Sequence, residues 1–305
     1  MKSFRSASLL LGLLCLTAAS VTAQADDRKF ELQCHSDDRF LQVYADHPVE
    51  SARCRSIVGR VLKAYAFITK QADWKNPGIL WAKPLQFRLL GGALNVLGYA
   101  QGPNLMVMRD DYLDKPLSEG TLAHELTHIQ DLRQLQGKKL PSYLLEGRAL
   151  TIGNAYRMSV GQEPGDYDRQ MAGSAIRFTA SQAIELLDDY QGRGWNNQAI
   201  GTLVVEYMRT AWKGSGVPNI HPRLSRMIER VATGEELETA FQNEFGETAA
   251  AFVDAFANYL RATQNDPSKR LQNTMWHSIR PAQSASSSQA AYIGDVVDFV
   301  GELLE

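Results

Sequence analysis

The motif H-E-L-T-H at residues 124–128 carries the strongest chemical signal in this chain of 305 residues. His124 and His128 are four positions apart, so on a helix their Cβ atoms are about 6 Å apart and both rings can bind one metal ion. Glu125 lies beside that pair, where its carboxylate can take a proton from a water molecule. Glu146 supplies a further carboxylate. This combination is typical of a catalytic zinc site, which keeps its fourth coordination position open for water.

The residues around the motif predict that both histidines lie in the middle of a helix. Ser118 is a favourable N-cap, whereas Gly137 and Pro141 are typical of residues that end a helix. Between them, apolar residues recur every three or four positions: Leu122, Leu126, Ile129, Leu132 and Leu135. The sequence therefore predicts a helix of about nineteen residues with one buried face.

Glu146 belongs to a second predicted helix, at about residues 142–158, which a short connection joins to the first. The two helices must then be antiparallel or steeply crossed neighbours. Gly147 and Ala149 remove bulk next to the glutamate, so we expect this helix to approach the first one closely. The alternative for Glu146 is an ordinary solvated carboxylate.

These segments resemble a known family. H-E-L-T-H-I-Q at 124–130, followed by L-L-E-G-R-A-L at 144–150, resembles the gluzincins, zinc peptidases whose third ligand is a glutamate on the next helix. The closer resemblance is to the peptidase MA-like family, and it covers roughly residues 60–262. It implies one zinc ion per chain. The implied ligands are His124, His128 and Glu146, and Glu125 is the implied general base in peptide hydrolysis.

The resemblance also implies a zincin-like α+β fold that is predominantly helical. A small sheet packs on the H-E-x-x-H helix, and a helical lobe follows. We assign residues 26–280 to one metallopeptidase domain, with the sheet and zinc helices at about 85–158 and the helical lobe at about 160–263. The strand just before the zinc helix is, by resemblance, the sheet edge along which a peptide lies.

The periodicity of apolar residues predicts the remaining elements. Strands are expected at 85–90 and 104–109. Helices are expected at about 49–73, 174–190, 197–213, 222–231, 235–243 and 247–263.

The chain departs from the family pattern at three places. Thr151 stands where relatives often have a tyrosine, and Leu150 stands where thermolysin-like enzymes have an aspartate that orients a zinc histidine. Residues 194–197 are Gly-Trp-Asn-Asn, where relatives tend to carry another tyrosine. The residue that stabilises the oxyanion is therefore left open between a loop histidine and three tyrosines that are also expected to serve in packing: His221, Tyr143, Tyr156 and Tyr207.

The first 25 residues are typical of a cleaved secretory leader. Lys2 and Arg5 precede an uncharged run at 7–19, and Ala-Gln-Ala at 23–25 forms a cleavage signal. The run is too short for a membrane span, and no later stretch of eighteen apolar residues exists. The sequence therefore predicts an exported protein, periplasmic or secreted.

Cys34 and Cys54 remain after removal of the leader, which contains Cys15. Two cysteines in an oxidising compartment predict a disulfide. It would close a loop of about twenty residues and stabilise the fold by roughly 3 kcal/mol. A metal site that uses Cys34 and His35 is the alternative.

Charge and composition address the partners. A formal net charge of −2 provides no basic surface for nucleic acid. At 281–305, a Ser/Ala/Gln-rich linker leads to an acidic stretch with an apolar stripe: Ile293, Val296, Val297, Val300, Leu303 and Leu304. This tail either docks on its own domain or binds a partner.

The sequence predicts an exported zinc metallopeptidase with a peptide or protein substrate. The alternative is a catalytically inactive zinc-binding or interaction module that retains the fold. Hydrolysis of an amide bond in a cell-wall peptide requires the same residues.

Overall fold

The protein is described here by a computed structural model that covers residues 28–74, 83–92, 97–115, 117–163, 166–188, 195–217 and 220–271. The predicted leader at 1–25, the tail at 281–305 and Gly194 lie outside these ranges.

Five short strands form one mixed sheet. They are β1 (Glu31–His35), β2 (Leu41–Ala45), β3 (Leu85–Leu90), β4 (Gly98–Gln101) and β5 (Leu105–Arg109). Their order across the sheet is β1-β2-β3-β5-β4. The three inner strands run parallel, and β1 and β4 pair with them in the antiparallel sense.

The predicted strands at 85–90 and 104–109 are confirmed, but the expectation that the second of them forms the sheet edge is wrong. β5 lies between β3 and β4, so β4 is the edge on the side of the H-E-x-x-H helix. A three-residue connection, Gly102–Asn104, turns the chain back and allows β4 to pair outside β5. Gly102 has a φ of +67°, a value that glycine adopts without strain.

Helices make up most of the described chain, which is therefore an α+β structure. They are α1 (Ser51–Ala72), α2 (Asp110–Leu113), α3 (Ser118–Leu135), α4 (Ser142–Ser159), α5 (Asp166–Ala175), α6 (Ala180–Asp188), α7 (Trp195–Thr210), α8 (Ile220–Ala232), α9 (Leu237–Phe245) and α10 (Ala249–Ala262).

Most predicted helices are confirmed to within a few residues, but the single helix expected at 174–190 is wrong. The chain leaves α5 at Ala175 and begins α6 at Ala180. Thr179 Oγ1 accepts a hydrogen bond from the Gln182 backbone N–H, and Gln182 Oε1 accepts one from the Thr179 N–H. This reciprocal pair is a capping box, which starts a new helix where the apolar pattern alone continues.

Two hydrophobic cores meet at α4. One fills the space between the sheet, α1 and α3, and it includes Ile152 and Tyr156 of α4. The other fills the helical region from α4 to α10 and includes Leu144 and Leu150 of the same helix. The position of α4 is therefore determined by both cores, which matters because α4 carries Glu146.

The helix α3 is buried nearly all round, contrary to the expected single buried face. Of its residues, only Glu119, Thr121 and Leu132 are not fully buried. Nor is Ser118 an N-cap. It is the first helical residue, and its hydroxyl donates to the Leu113 carbonyl.

A disulfide joins Cys34 of β1 to Cys54 of α1, as predicted. It connects the edge strand β1 to the helix that covers the sheet, and it is consistent with folding in an oxidising environment. None of the helices in the described ranges is long and apolar enough to cross a membrane.

His47 connects two carboxylates at the carboxyl ends of β2 and β5. Its Nδ1 lies 2.7 Å from Asp46 Oδ1, and its Nε2 lies 3.0 Å from Asp110 Oδ2. Arg28 pairs with Asp46 and Arg53 pairs with Asp110, so each carboxylate also has a cation. The hydrogen bond that His47 donates to Asp46, opposed by burial and reinforced by Asp110, raises the pKa of His47 above 6.5.

We expect His47→Gln to lower the free energy of unfolding by about 1 kcal/mol, the net contribution of an ordinary hydrogen bond. Because the native pKa is raised, the contribution is fully present below about pH 6.5 and is lost as the pH rises through the native value. Urea unfolding at several pH values measures the difference. His35→Gln is the control, since that exposed histidine bonds to the Ser36 carbonyl rather than to a carboxylate. A pH-independent difference would contradict this account.

Candidate metal centre

Three side chains from α3 and α4 converge on one point. His128 Nε2 lies 3.0 Å from His124 Nε2. Glu146 lies beside both rings, with Oε2 3.5 Å from His124 Nε2 and Oε1 3.5 Å from His128 Nε2. Within the described ranges these residues form the one group of at least three potential ligands whose atoms all lie within 4.8 Å of one another.

The distances between these atoms fit a metal ion. In a tetrahedral site with ligands about 2.1 Å from the ion, the ligand atoms are about 3.4 Å apart. The observed separations of 3.0 and 3.5 Å are close to that value. Two imidazole nitrogens at this distance also repel each other when both are protonated. His124, His128 and Glu146 could therefore hold a metal ion between them.

Burial and charge give the two histidines opposite protonation preferences. Burial and the charge of His128 lower the pKa of His124 to about 3, so its ring is neutral. Burial also disfavours the charged form of His128, but the carboxylate of Glu146 outweighs it and raises the pKa of His128. Burial alone would raise the pKa of Glu146. The charge of His128, together with hydrogen bonds from His128 and Gln198, lowers it instead.

Glu125 lies next to the three ligands without joining them. Its Oε1 is 4.0 Å from His124 Nε2, and only 5% of the residue is exposed. Burial is the main reason that its pKa rises to about 8, although a hydrogen bond from the Ala100 N–H opposes the shift. Ala100 belongs to β4, so the edge strand lies against the glutamate.

Glycine contacts allow α4 to reach both of its neighbours. A Cβ atom at Gly153 would lie 2.7 Å from the Gly120 carbonyl oxygen and 3.3 Å from the Cβ atom of His124. On another face of α4, a Cβ atom at Gly147 would overlap the Gly201 carbonyl oxygen of α7. The expectation that Gly147 admits α3 is therefore wrong. Gly147 allows α7 to approach α4 closely, and Gly153 allows α3 to do so.

The side chains around the ligands differ from those of the thermolysin-like pattern. Leu150 leaves His124 without the expected aspartate, and His124 Nδ1 is buried with no hydrogen-bond partner among the described residues. Asp131, one turn further along α3, lies close enough to His128 for its carboxylate to contribute to the raised pKa of that histidine. Gln198 of α7 donates to Glu146.

Asp131 forms a fully buried ion pair with Arg148. The two side chains are 0% and 1% exposed, and Arg148 Nη1 lies 2.9 Å from Asp131 Oδ1. Among the described residues, neither carboxylate oxygen of Asp131 has a hydrogen-bond partner, so the contact is an ion pair of imperfect geometry. Arg148 Nη2 donates to Ser225 Oγ of α8, which connects the metal helices to the helical lobe.

The four candidates for oxyanion stabilisation differ in their surroundings. His221 lies in the first turn of α8 rather than in a loop, and burial beside Arg148 lowers its pKa to about 3. Tyr156 packs against Phe67. Tyr207 packs within the aromatic cluster formed by Phe252, Phe256 and Tyr259. Tyr156 and Tyr207 are therefore packing residues. Tyr143 is buried on α4, with its carbonyl oxygen facing Gly201.

Several residues that hold the site carry no signal in the sequence pattern. Gln198 contacts Glu146 from α7, and Arg133 hydrogen-bonds to Pro103 and Asn104 between β4 and β5. Gly201 of α7 likewise contacts a residue far away in sequence, Gly147 of α4. No periodic pattern marks such residues, because each acts across a contact that forms only in the folded chain.

No protein-family model matches this chain, and no curated protein sequence matches it significantly.

We expect Gly147→Ala to disturb the site because its Cβ atom would overlap the backbone of α7 and push α4 away. The free energy of unfolding should fall by at least about 2 kcal/mol, and metal affinity should fall about tenfold or more as Glu146 moves. Chemical unfolding and competition with a chelator measure the two effects.

Gly59→Ala is the matched control for this substitution. Gly59 lies inside α1, and a Cβ atom there meets nothing within 4 Å. We expect this variant to gain about 0.5–1 kcal/mol from helix propensity and to bind metal as the natural protein does. Unchanged metal affinity in Gly147→Ala would show that the glycine contact does not position Glu146.

Proposed function

We propose that this protein is an exported zinc-dependent peptidase of the gluzincin type, similar to the peptidase MA-like family. The observation that carries the proposal is the convergence of His124, His128 and Glu146, with Glu125 beside them but outside the ligand set. A structural metal site closes its fourth position with a protein ligand and needs no adjacent base.

The ligand set favours zinc. Two imidazole nitrogens and one carboxylate oxygen are the ligands of many catalytic zinc sites, whereas magnesium and calcium prefer oxygen ligands throughout. When bound, zinc supplies a Lewis acid that makes a water molecule acidic near neutral pH. His124, His128 and Glu146 would hold the ion. The ring of His124 is already neutral, as a metal ligand must be, whereas His128, whose pKa is raised, would give up its proton on binding.

Glu125 is the general base in the proposed reaction. Its carboxylate is buried and lies close to His124, so it can accept a proton from the attacking water and donate it to the leaving amine. The Ala100 N–H contact restricts the carboxylate to this position. Burial raises the pKa of the Glu125 carboxyl group to about 8. The positive charge of a bound ion would lower that pKa and favour the ionised form, which is the form that accepts the proton.

The edge strand β4 is the proposed binding site for the substrate backbone. The Arg109 N–H donates to the Leu97 carbonyl, so residues 97, 99 and 101 direct their backbone groups towards β5. Because alternate residues of a strand face opposite sides, Gly98 and Ala100 direct theirs away from β5. The Ala100 N–H already meets Glu125, so an extended peptide would pair by strand addition with the other outward groups of this edge, which would place its amide bonds beside Glu125.

A catalytically inactive zinc-binding module is the second candidate. The observation that favours it is His124 Nδ1, which has no hydrogen-bond partner among the described residues, whereas a carboxylate orients many catalytic histidines. The retained Glu125 argues for catalysis. Export is part of the first proposal, and the Cys34–Cys54 disulfide supports it.

We expect Glu125→Gln to bind one zinc ion per chain, as the natural protein does, and to cleave peptides at least about 100-fold more slowly, since it cannot accept the proton. Elemental analysis and a peptide library that includes cell-wall stem peptides measure the two properties. Glu238→Gln makes the same chemical change at an exposed position of α9 and should leave both unchanged.

A zinc-loaded natural protein that cleaves no peptide in the library would favour the inactive module. Selective cleavage of the stem peptides would instead identify a cell-wall amide hydrolase. Loss of zinc from Glu125→Gln would contradict its assignment as a base outside the ligand set.

A further inference from the structure

Arg133, in the last turn of α3, fastens the connection between β4 and β5. Its Nε donates to the Pro103 carbonyl at 2.6 Å, and its Nη2 lies 3.0 Å from Asn104 Oδ1. The same Nη2 donates to the Lys83 carbonyl, just before β3, at 3.0 Å. One guanidinium therefore joins the metal helix to two segments of the sheet.

Two further observations place β4 along α3. A Cβ atom at Gly98 would lie 3.6 Å from Thr121 Cγ2, so the strand begins close to the first turn of the helix. One helical turn later, the Ala100 N–H meets the carboxylate of Glu125. Arg133 is two turns further on and fixes the far end of the strand. The distance between β4 and α3 is therefore controlled from both ends.

The chemistry at position 133 suits arginine in particular. The residue is only 7% exposed, and its guanidinium lies 5.4 Å from the centre of the Phe40 ring. A planar fork of donors can reach the Pro103 and Lys83 carbonyls at once, which the single ammonium of a lysine cannot do in the same geometry. A methionine here would fill part of the volume but would leave buried acceptors without a donor.

We propose that Arg133 is a positioning residue for the reaction proposed above, on which this inference rests. It holds the β4–β5 hairpin so that the outward backbone groups of Gly98 and Ala100 stay in register with Glu125 and the metal ligands. Arg133 acts on the ligands and on Glu125 through β4, because its guanidinium bonds to Pro103 and Asn104 at the end of that strand.

Arg60 of α1 offers a matched control, because it contacts the opposite end of α3. Its guanidinium also makes three hydrogen bonds, to Glu119 Oε1 at 2.7 Å, the Leu113 carbonyl at 2.9 Å and Ser118 Oγ at 2.8 Å. These bonds attach α1 to the start of α3, and none of the three reaches β4. Both arginines stabilise the packing of α3, but we expect only the substitution of Arg133 to displace β4.

The experiment compares Arg133→Met, Arg133→Lys and Arg60→Met in the full chain loaded with zinc. For Arg133→Met we expect unchanged zinc content and a fall of about 100-fold in kcat/KM, the scale of a displacement of about 1 Å at the reacting groups. KM should rise, because the strand that aligns the substrate is displaced. Arg133→Lys should recover part of the loss, and Arg60→Met should retain the natural kcat/KM.

Hydrogen exchange supplies a readout that does not need activity. At a temperature where all variants are folded, the amides of 98–101 should exchange about tenfold faster in Arg133→Met, relative to those of β2, and at the natural ratio in Arg60→Met. Asn104→Ala removes one acceptor of Arg133. We expect Asn104→Ala to accelerate exchange and to raise KM as Arg133→Met does, but by smaller amounts. This variant serves as the test if Arg133→Met does not fold.

Equal losses of kcat/KM and equal exchange ratios in the two methionine variants would overturn the proposal, because Arg133 would then be a general stabilising residue. Loss of zinc from Arg133→Met would overturn it as well. If the natural protein cleaves no peptide, the proposed peptidase function fails by itself. The exchange ratios then still decide whether Arg133 holds the edge strand.

Discussion

The close approach of α4 to two neighbours at once is the constraint on which the rest of the structure depends. Gly153 brings α4 against α3, and Gly147 brings it against α7, with backbone atoms in contact on both sides. The same helix contributes residues to both hydrophobic cores. Glu146 is therefore placed between the histidines of α3 and the side chain of Gln198 by packing that involves both cores, and the apolar cores determine the geometry of the candidate metal ligands.

The packing concentrates ionisable groups where water is scarce. Four buried or nearly buried side chains, two imidazoles and two carboxylates, meet at the site, and a second buried pair, Asp131 and Arg148, lies one turn away. Burial of charges without partners is costly. The cost is reduced within the protein by the attraction between His128 and Glu146, and a bound cation would reduce it further. Natural chains tolerate such arrangements mainly at functional sites.

The sequence predicts the site better than it predicts the surroundings of the site. The helices of His124, His128 and Glu146 follow from local spacing and from residues that end helices, and both lie where expected. The strands β1, β2 and β4 mix polar with apolar residues over only four or five positions, whereas the equally short β5 is marked by the continuous apolar run at 105–108.

Other features depend on contacts between distant segments. The partner of Gly147 is on α7 rather than α3, and no local pattern specifies that contact. The sheet edge is β4 rather than β5 because β5 pairs with β3 as well as with its hairpin partner β4. The break between α5 and α6 is different. Thr179 and Gln182 form a local capping signal that the apolar periodicity alone does not reveal. The sequence shows this signal when capping residues are considered together with the periodicity.

The burial of α3 has a consequence for evolution. Almost every position of this helix is packed against the sheet, α4 or α8, so most substitutions there would be removed by selection for folding alone. Invariance along α3 among related proteins would thus not separate metal ligands from core residues. Positions outside the helix, such as Gln198 and the residues of β4, would carry more information about whether a relative keeps the chemistry or only the fold.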